Sequence, residues 1–562
     1  MNTVGKRALS VALASLLALT LLSTASAFGF GGTGRVVFET SEYPVAQLRG
    51  IEDVRATCTA ATPSFLCEHL EGALTRIPTK GTDFLFTASG ELAGAYVKVQ
   101  RGQTLNDYQV GARNNLVPFE SSVPGGALLI DGEYFAPQDV EGSWTQRDEF
   151  TMIGTFTFSV PGFTVERTVL VSNVTETTEQ TLVVTRAGPG PAASLATPGP
   201  ADGADEATDE EQAVDEAAAT PAPAGDQDVA LQVATPGIAR TANPVVKIGY
   251  DQTFAMNPGE RAFSNPSYAA LQKADNNRDE AFIMLPGEGS DPLEAGFLRP
   301  NLVYMQTTLA AGDARADIRV DSYAGRNELV RYEQEGYLDL PGLFRPNILG
   351  RLSLLIVNLL QWIHQYVPSW GLSIIVLTLM FRVVVWPLIS TQTRSMFGMQ
   401  ALQPKIKELQ RKHKDDREKL TQETMKLYRE AGVNPAGGCL PILLQMPLFI
   451  ILWRVFVNFE FAEGFLWLPD LGQADPLFIL PILYVAVMVA TSYFSARGNP
   501  QMLRQSMIIN VVFVFVIVTF PAGVLVYYVV SMLVQVFQYW LISRGQPAPA
   551  RVTPAVPAKR GK

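Results

Sequence analysis

The chain has few of the residues that bind metal ions or form disulfide networks. Its 562 residues include three cysteines and three histidines, which excludes a disulfide-dense scaffold and a protein with several metal sites. Charged residues are also scarce, at 17% of the chain against roughly 25% in an ordinary soluble domain. Because the mean hydropathy is +0.13, the composition indicates membrane-spanning segments rather than wholesale disorder.

The charge balance and the missing catalytic motifs exclude further classes. The net charge is −10 at pH 7, whereas a nucleic-acid binder is normally basic, so no bound nucleic acid is predicted. The sequence contains no GxxxxGKS/T loop, no GxSxG and no HExxH motif. A GxGxxG match at 29–34 lacks the flanking strand and helix of a dinucleotide site. We therefore predict no enzyme activity, no metal and no cofactor.

The N-terminus has the features of an export signal. Lys6 and Arg7 precede an uncharged stretch over 8–22, and Ala-Ser-Ala follows at 25–27. This order predicts a signal peptide over 1–27 that is cleaved after its last residue. The alternative is an uncleaved membrane span, although the apolar stretch is shorter than the roughly 20 residues that a span needs. Either segment would export the residues that follow.

Residues 35–340 have the pattern of an exported β-rich domain. Short runs of valine, threonine and phenylalanine alternate apolar and polar positions between turn residues. We predict an antiparallel β-sandwich, with strands that include 83–87, 95–99, 154–160, 163–172 and 181–185.

Two further features lie within this region. Residues 187–228 are mostly Ala, Pro, Gly, Asp and Glu without Lys or Arg, which predicts a disordered acidic insertion in the exported domain. Cys58 and Cys67 can form a disulfide in an oxidising compartment, but the sequence leaves open whether they pair.

The last 220 or so residues hold the long apolar segments. A mixed segment over 346–364 predicts an amphipathic helix in the membrane interface. Blocks with at most one charge each predict spans over 371–389, 438–457 and 476–496.

The final apolar block is too long for one span. Residues 505–543 form a charge-free block of 39 residues, which as one helix would measure about 58 Å against about 30 Å of hydrocarbon. The sequence Phe-Pro-Ala-Gly at 520–523 is a turn signal. We therefore predict two spans, over 506–519 and 523–542, and five spans in total.

The charges between the spans indicate their orientation. Residues 390–437 carry ten Lys and Arg residues, whereas 458–475 carry four acidic residues and no basic one. The positive-inside rule therefore places 390–437 and the basic tail 543–562 in the cytoplasm and the β-rich domain outside. Alternating charges along 390–437 predict a cytoplasmic helical hairpin, either a docking surface or a plain coiled-coil connector.

Arg382 carries the most functional information. It lies eleven residues into the span that begins near Gly371, about 16 Å deep. A charge at that depth should face protein or water. The predicted spans contain no Asp or Glu, and the polar residues available are Thr378, Gln445, Asn510, Ser531 and Gln535. We predict a hydrated cavity in the helix bundle, with snorkelling of the arginine to the membrane surface as the alternative.

Several motifs in this half resemble those of a known family. They are 370–375, Thr378, Arg382, Trp386-Pro387-Leu388, 402–406, 434–441, 445–447, and 520–523 followed by Tyr527-Tyr528. In this order over 346–543, they resemble the YidC family of membrane protein insertases (YidC/Oxa/Alb type). More weakly, the exported region resembles the large periplasmic β-supersandwich of the Gram-negative-type members.

The resemblance implies a polytopic α-helical membrane protein with a five-span insertase core and an exported, supersandwich-like β-sandwich. In the family the spans surround a hydrophilic groove that is open to the cytoplasm and the lipid and closed outside. Arg382 matches the groove arginine, and Thr378, Gln445 and Tyr528 match polar groove or core positions. Thr519 departs from the aromatic residue often found before the Phe-Pro turn, which leaves that part of the groove wall undefined.

The resemblance also implies a function in the bacterial inner membrane. The chain would insert nascent membrane proteins, and help them fold and assemble, by itself or with a Sec translocon. Residues 390–437 would receive the ribosome and targeting factors, and clients would leave the groove sideways into membrane lipid. The alternatives are a folding chaperone or assembly factor without autonomous insertion, and a small-anion transporter. We find no internal repeat typical of such carriers, and no span carboxylate for proton coupling.

Overall fold

The computed structural model describes most of the chain. The described residues are 38–48, 51–60, 63–98, 102, 105, 115–187, 227–237, 244–273, 280–298, 302–344, 346–414, 416–432, 440–461, 463–495, 504, 507–508, 510–511, 514 and 516–544. The predicted signal peptide over 1–27, the spacer at 29–34 and nearly all of the acidic insertion and basic tail lie outside these residues.

The chain forms two compact units. Of the residues that the structure describes, the β-rich unit comprises those within 36–328 and 336–345, and the helical unit comprises those within 329–335 and 346–562. The chain therefore passes three times between the units, at residues 328–329, 335–336 and 345–346, and each unit is described separately.

The β-rich unit contains three antiparallel sheets. The four-stranded sheet consists, in order, of β1 (Ser41–Pro44), β2 (Ala73–Pro78), β3 (Thr82–Phe86) and β4 (Leu92–Val97). The six-stranded sheet has the order β14-β17-β18-β11-β5-β6 and contains β5 (Ala127–Ile130), β6 (Glu133–Tyr134), β11 (Val229–Pro236), β14 (Phe263–Ser264), β17 (Glu294–Leu298) and β18 (Leu302–Leu309). The nine-stranded sheet has the order β13-β12-β15-β16-β19-β10-β9-β8-β7 and contains β7 (Gln138–Gln146), β8 (Thr151–Val160), β9 (Phe163–Ser172), β10 (Thr177–Arg186), β12 (Val245–Tyr250), β13 (Thr253–Met256), β15 (Pro266–Lys273), β16 (Glu280–Pro286) and β19 (Arg315–Arg326).

Alternating side chains explain why these strands form and what they bury. In β9 every second residue from Phe163 to Val171 is buried, and the intervening side chains are more exposed. The turn before β9 contains Gly162, whose positive φ of 81° suits a residue without a Cβ. Buried residues of all three sheets join one hydrophobic cluster, which includes Phe84, Leu182 and Met305. The predicted strand 163–172 has the observed bounds, and the other four predicted strands overlap β3, β4, β8 and β10.

A smaller core supports the first sheet. Helix α1 (Ile51–Thr57) and the short helix Phe65–His69 pack with β-strand residues in a separate hydrophobic cluster. Cys58 and Cys67 form a disulfide bond at its edge, with a Cα–Cα distance of 5.6 Å. The pairing that the sequence left open is therefore present.

The helical unit contains seven described α-helices. They are α2 (Leu329–Gln334), α3 (Ile348–Tyr366), α4 (Trp370–Lys412), α5 (Arg417–Glu430), α6 (Leu440–Asn458), α7 (Ile479–Ser495) and α8 (Ala522–Arg544). Residues of α2, α3, α4, α6, α7 and α8 share one hydrophobic core. Along α3, every third or fourth residue from Gly350 to Ile363 is buried, which fits the predicted amphipathic helix.

Two of the described helices are long and apolar enough to cross a membrane, over Trp370–Met399 and Ala522–Ile542. Shorter apolar stretches are Gln445–Asn458 and Ile479–Ser492. The helix that contains the predicted span 371–389 continues without a break to Lys412, through Pro387 and Pro404. Of the predicted span 506–519, only scattered residues are described.

Candidate functional site

The site lies where α4, α6 and α8 bring polar side chains into an otherwise apolar core. Arg382 belongs to α4, Gln445 to α6, and Tyr527 and Tyr528 to α8. Leucine, valine and isoleucine surround these positions along each helix. Because apolar residues supply the packing, each polar side chain depends on the few others for hydrogen bonds.

Arg382 is a buried cation. The residue is 7% exposed, and its Nε has no hydrogen-bond partner. Within the described part of the chain, no acidic side chain forms an ion pair with it. The phenols of Tyr527 and Tyr528 lie near its guanidinium. A guanidinium in these surroundings is incompletely solvated by the protein and can bind water or an anionic group.

Thr378 lies one helical turn before Arg382 and is fully buried. Its Oγ1 donates a hydrogen bond of 2.6 Å to the carbonyl oxygen of Ile374, within the same helix. This hydroxyl already donates its proton within the helix, so it can only accept a hydrogen bond from a second neighbour.

Gln445 and Tyr528 do come together. The Gln445 amide lies against the phenols of both Tyr527 and Tyr528. Tyr528 also makes an edge contact with Tyr484, with ring centroids 6.1 Å apart. Three of the four predicted site residues, Arg382, Gln445 and Tyr528, thus share one cluster.

Two hydroxyls complete this cluster. Tyr527 and Ser531 are four residues apart on α8 and are 2% and 0% exposed, and neither hydroxyl has a hydrogen-bond partner of good geometry. Their i, i+4 spacing puts them on one face of the helix. The sequence identified Tyr527 only as part of a motif. Its i, i+4 spacing from Ser531 could have shown that it belongs to the cluster. Asn510, another candidate partner of Arg382, instead donates its amide to Ser492 Oγ at 2.9 Å.

Backbone hydrogen bonds join the start of α8 to a neighbouring loop. The N–H groups of Ala522 and Gly523 donate to the carbonyls of Gln473 and Leu471, at 2.6 and 2.8 Å. The first N–H groups of a helix have no partner within the helix, so this loop between α6 and α7 supplies the missing acceptors. A Cβ at Gly523 would lie 3.2 Å from the Leu471 oxygen, which favours glycine there.

The same loop is ordered by a buried carboxylate. Asp475 is 1% exposed and accepts hydrogen bonds from the N–H of Leu477, the N–H of Leu480 and the indole of Trp467, at 2.9, 2.7 and 3.1 Å. Asp475 therefore caps the start of α7 and fixes the indole beside it.

The chemistry of the cluster is that of hydrogen-bond donation. Arginine only donates, and the hydroxyls of Tyr527 and Ser531 can donate. Among the described residues, no group of three His, Cys, Asp or Glu side chains could hold a metal ion. The arrangement thus suits an acceptor-rich polar group inside an apolar helix bundle.

Comparison with known proteins identifies the family. Residues 362–549 match the sequence model of the family described as "60Kd inner membrane protein". The chain is 37% identical over 317 residues to the "Membrane protein insertase YidC" of Deinococcus radiodurans, covering 55% of this chain and 72% of that protein. It is 32% identical over 338 residues to the protein of the same name from Dechloromonas aromatica, covering 58% and 60%.

A solved structure gives a further likeness. The "Active YidC insertase crystal structure with the first transmembrane domain resolved" aligns with a TM-score of 0.44 at 18% identity, over 83% of this chain and 91% of that one. The sequence relationship to the Deinococcus protein, over most of that protein's length, carries the assignment. The chain belongs to the YidC family of membrane protein insertases.

Proposed function

We propose that the chain inserts integral membrane proteins into the bacterial inner membrane through a polar groove that contains Arg382, Thr378, Gln445 and Tyr528. The observation that carries the proposal is the buried guanidinium of Arg382, which has no acidic partner among the described residues. Such a charge is costly in hydrocarbon unless water or a polar ligand reaches it. A polar segment of a client would meet that requirement.

The energetics of insertion explain how such a groove could act. A polar segment that crosses about 30 Å of hydrocarbon loses its hydration, and this loss is the main barrier. A hydrated groove that reaches Arg382 would shorten the apolar path, and the cation would attract acidic segments. The apolar span of the client would then leave into lipid, and its burial would drive the reaction without a nucleotide.

The remaining parts of the chain are assigned roles in this scheme. Five spans, over 371–389, 438–457, 476–496, 506–519 and 523–542, would form the core. The β-rich unit would be a periplasmic supersandwich, and the positive-inside rule supports this orientation. The disulfide supports it as well, because such bonds persist in oxidising compartments.

The cytoplasmic side would receive partners. None of the residues of α5 is buried, and Asp416 caps its start by accepting the Lys419 N–H at 2.9 Å. This open, charged surface within 390–437 would dock the ribosome or targeting factors. A Sec translocon would cooperate with the insertase for some clients, and the groove would also act as a folding chaperone.

The test uses the purified chain in liposomes without ATP or a membrane potential. A single-span client with a short acidic outward tail is added, and protease-protected fragments are counted against empty liposomes. We expect protection with the wild-type chain. Arg382→Glu should reduce insertion of the acidic tail more than that of a neutral tail, because like charges now meet.

Arg394→Glu is the matched control, since Arg394 lies on the same helix and is exposed. It changes the net charge equally and should leave both clients unaffected. No protection with the wild-type chain would favour a chaperone that needs a translocon. Equal loss for the acidic and neutral tails with Arg382→Glu would contradict the role of the groove arginine.

A further inference from the structure

Helix α8 carries a polar stripe that continues beyond the Arg382 cluster. At 100° per residue, Tyr528, Ser531, Gln535 and Gln538 lie within a sector about 80° wide. This sector includes the face through which α8 packs against α4, since Gln538 donates its amide to the Trp386 carbonyl at 3.3 Å. Polar groups thus continue along α8 for roughly 15 Å.

Burial changes abruptly along this stripe. Ser531 is 0% exposed and Gln538 is 1% exposed, but Gln535, which lies between them, is exposed. The Gln538 amide is fixed by the Trp386 carbonyl and by Ser390 Oγ, at 3.3 and 3.2 Å. Gln535 makes no hydrogen bond with any residue that the structure describes. The packing of α8 therefore opens at Gln535 and closes again one turn later.

The depth of Gln535 makes this exposure costly. It lies thirteen residues after Ala522, which is about 20 Å along the helix and within the hydrocarbon if α8 spans the membrane. An amide facing lipid there would lose its hydrogen bonds. The exposed side chains on the opposite face, Leu533, Phe537 and Trp540, are those that lipid accommodates. Gln535 is therefore suited to a polar occupant.

We propose that Gln535 is a specificity-determining contact that hydrogen-bonds uncharged polar segments of the client. This inference rests on the proposed insertase function. A glutamine amide both donates and accepts, so it can pair with Ser, Asn and Gln side chains and with peptide groups, whereas arginine only donates and attracts carboxylates. Arg382 and Gln535 then divide the clients between acidic and neutral polar tails.

The experiment measures insertion rates in liposomes for two clients that share one apolar span. One client has an outward tail of Ser, Asn and Gln, and the other has the same tail with acidic residues. Gln535→Leu should slow the neutral tail about fivefold, the effect of one lost hydrogen bond, and should slow the acidic tail less. Gln535→Asn should keep most of the wild-type rate.

A relocation variant serves as the matched control. In Gln535→Leu combined with Leu533→Gln, the amide moves to the opposite face of α8 while the composition stays the same. We expect this variant to be as slow with the neutral tail as Gln535→Leu alone. Recovery of the wild-type rate would overturn the proposal, because the position of the amide would then be irrelevant.

Other outcomes separate this inference from the proposed function. Wild-type rates for both tails with Gln535→Leu would overturn the role of Gln535, and so would equal slowing of both. If Arg382→Glu still slows the acidic tail in the same preparation, the insertase function stands in either case. If the wild-type chain inserts neither client, the proposed function fails and the inference fails with it.

Discussion

Removing the charge of Asp321 should stabilise the β-rich unit above pH 6. Asp321 lies in β19, directly opposite Glu179 of β10. Burial in the first place, and then repulsion from Glu179 and Glu288, raise the pKa of Asp321 to about 6. The nearby guanidinium of Arg319 donates to the Glu288 carbonyl. The folded protein therefore holds a proton on Asp321 more tightly than the unfolded chain does.

The magnitude follows from the pKa difference. An unfolded aspartate titrates near 3.9, so the two states differ by about two units, or at most roughly 3 kcal/mol. Because the carboxylate of Asp321 is partly exposed, solvent screening reduces this to about 1 kcal/mol. The contribution of the protonated group to stability is full below about pH 4 and is lost as the pH rises through about 6. Asparagine does not ionise, so Asp321→Asn should abolish this loss of stability at higher pH.

Hydrogen exchange of β19 amides, followed by mass spectrometry from pH 4 to 8, measures the effect in the full chain. Asp317→Asn is the matched control, since hydrogen bonds from Arg315 hold the pKa of Asp317 below its usual value. Asp317→Asn should destabilise β19 at neutral pH, with the opposite sign. If Asp321→Asn has the same pH profile as the wild type, the reasoning about burial and repulsion is wrong.

Three further changes test other parts of the fold. Cys58→Ser or reduction of the bond to Cys67 should lower the stability of the β-rich unit by roughly 2–3 kcal/mol, because the unfolded chain gains entropy; thermal unfolding with and without reductant measures it. Asp475→Ala should cost about 1–2 kcal/mol by removing the helix cap, and indole fluorescence should shift. Serine in place of Asp475 should keep part of the cap. Gly371→Ala would place a Cβ atom within the space of the Phe465 ring and should lower the melting temperature in detergent.

The sequence pattern predicts these individual strands well, but it does not predict their order in the sheets. The prediction of strand β9 matches the structure to the residue, because its side chains alternate and a glycine turn precedes it. Strand β3 is buried at all five positions and lacks alternation, and its prediction was one residue late. The pairing of β10 with β19 joins residues at least 130 positions apart. Local pattern cannot specify such a partner, because the choice depends on the whole folded core.

The site shows a similar division. Arg382 stood out because a charge within an apolar run is physically unusual. Tyr527 did not, because a hydroxyl on an apolar helix looks the same whether it faces a neighbour or a cavity. Ser531 was one of five polar candidates for a partner of Arg382, and nothing in the sequence distinguished it from the other four. The predicted neighbour Thr378 is beside Arg382 along the helix, yet its proton goes to Ile374. Hydrogen-bond geometry of this kind becomes visible only with coordinates.

The uninterrupted length of α4 has a mechanical consequence. Its 43 residues extend over about 65 Å. A small tilt of the helix therefore displaces its Lys412 end by a large distance. Pro387 removes one backbone hydrogen bond just five residues after Arg382, and the helix can bend there at little cost. Gln538 holds the Trp386 carbonyl immediately before this bend. A force applied near Lys412 can therefore move the part of α4 that follows Pro387 while Arg382 keeps its position.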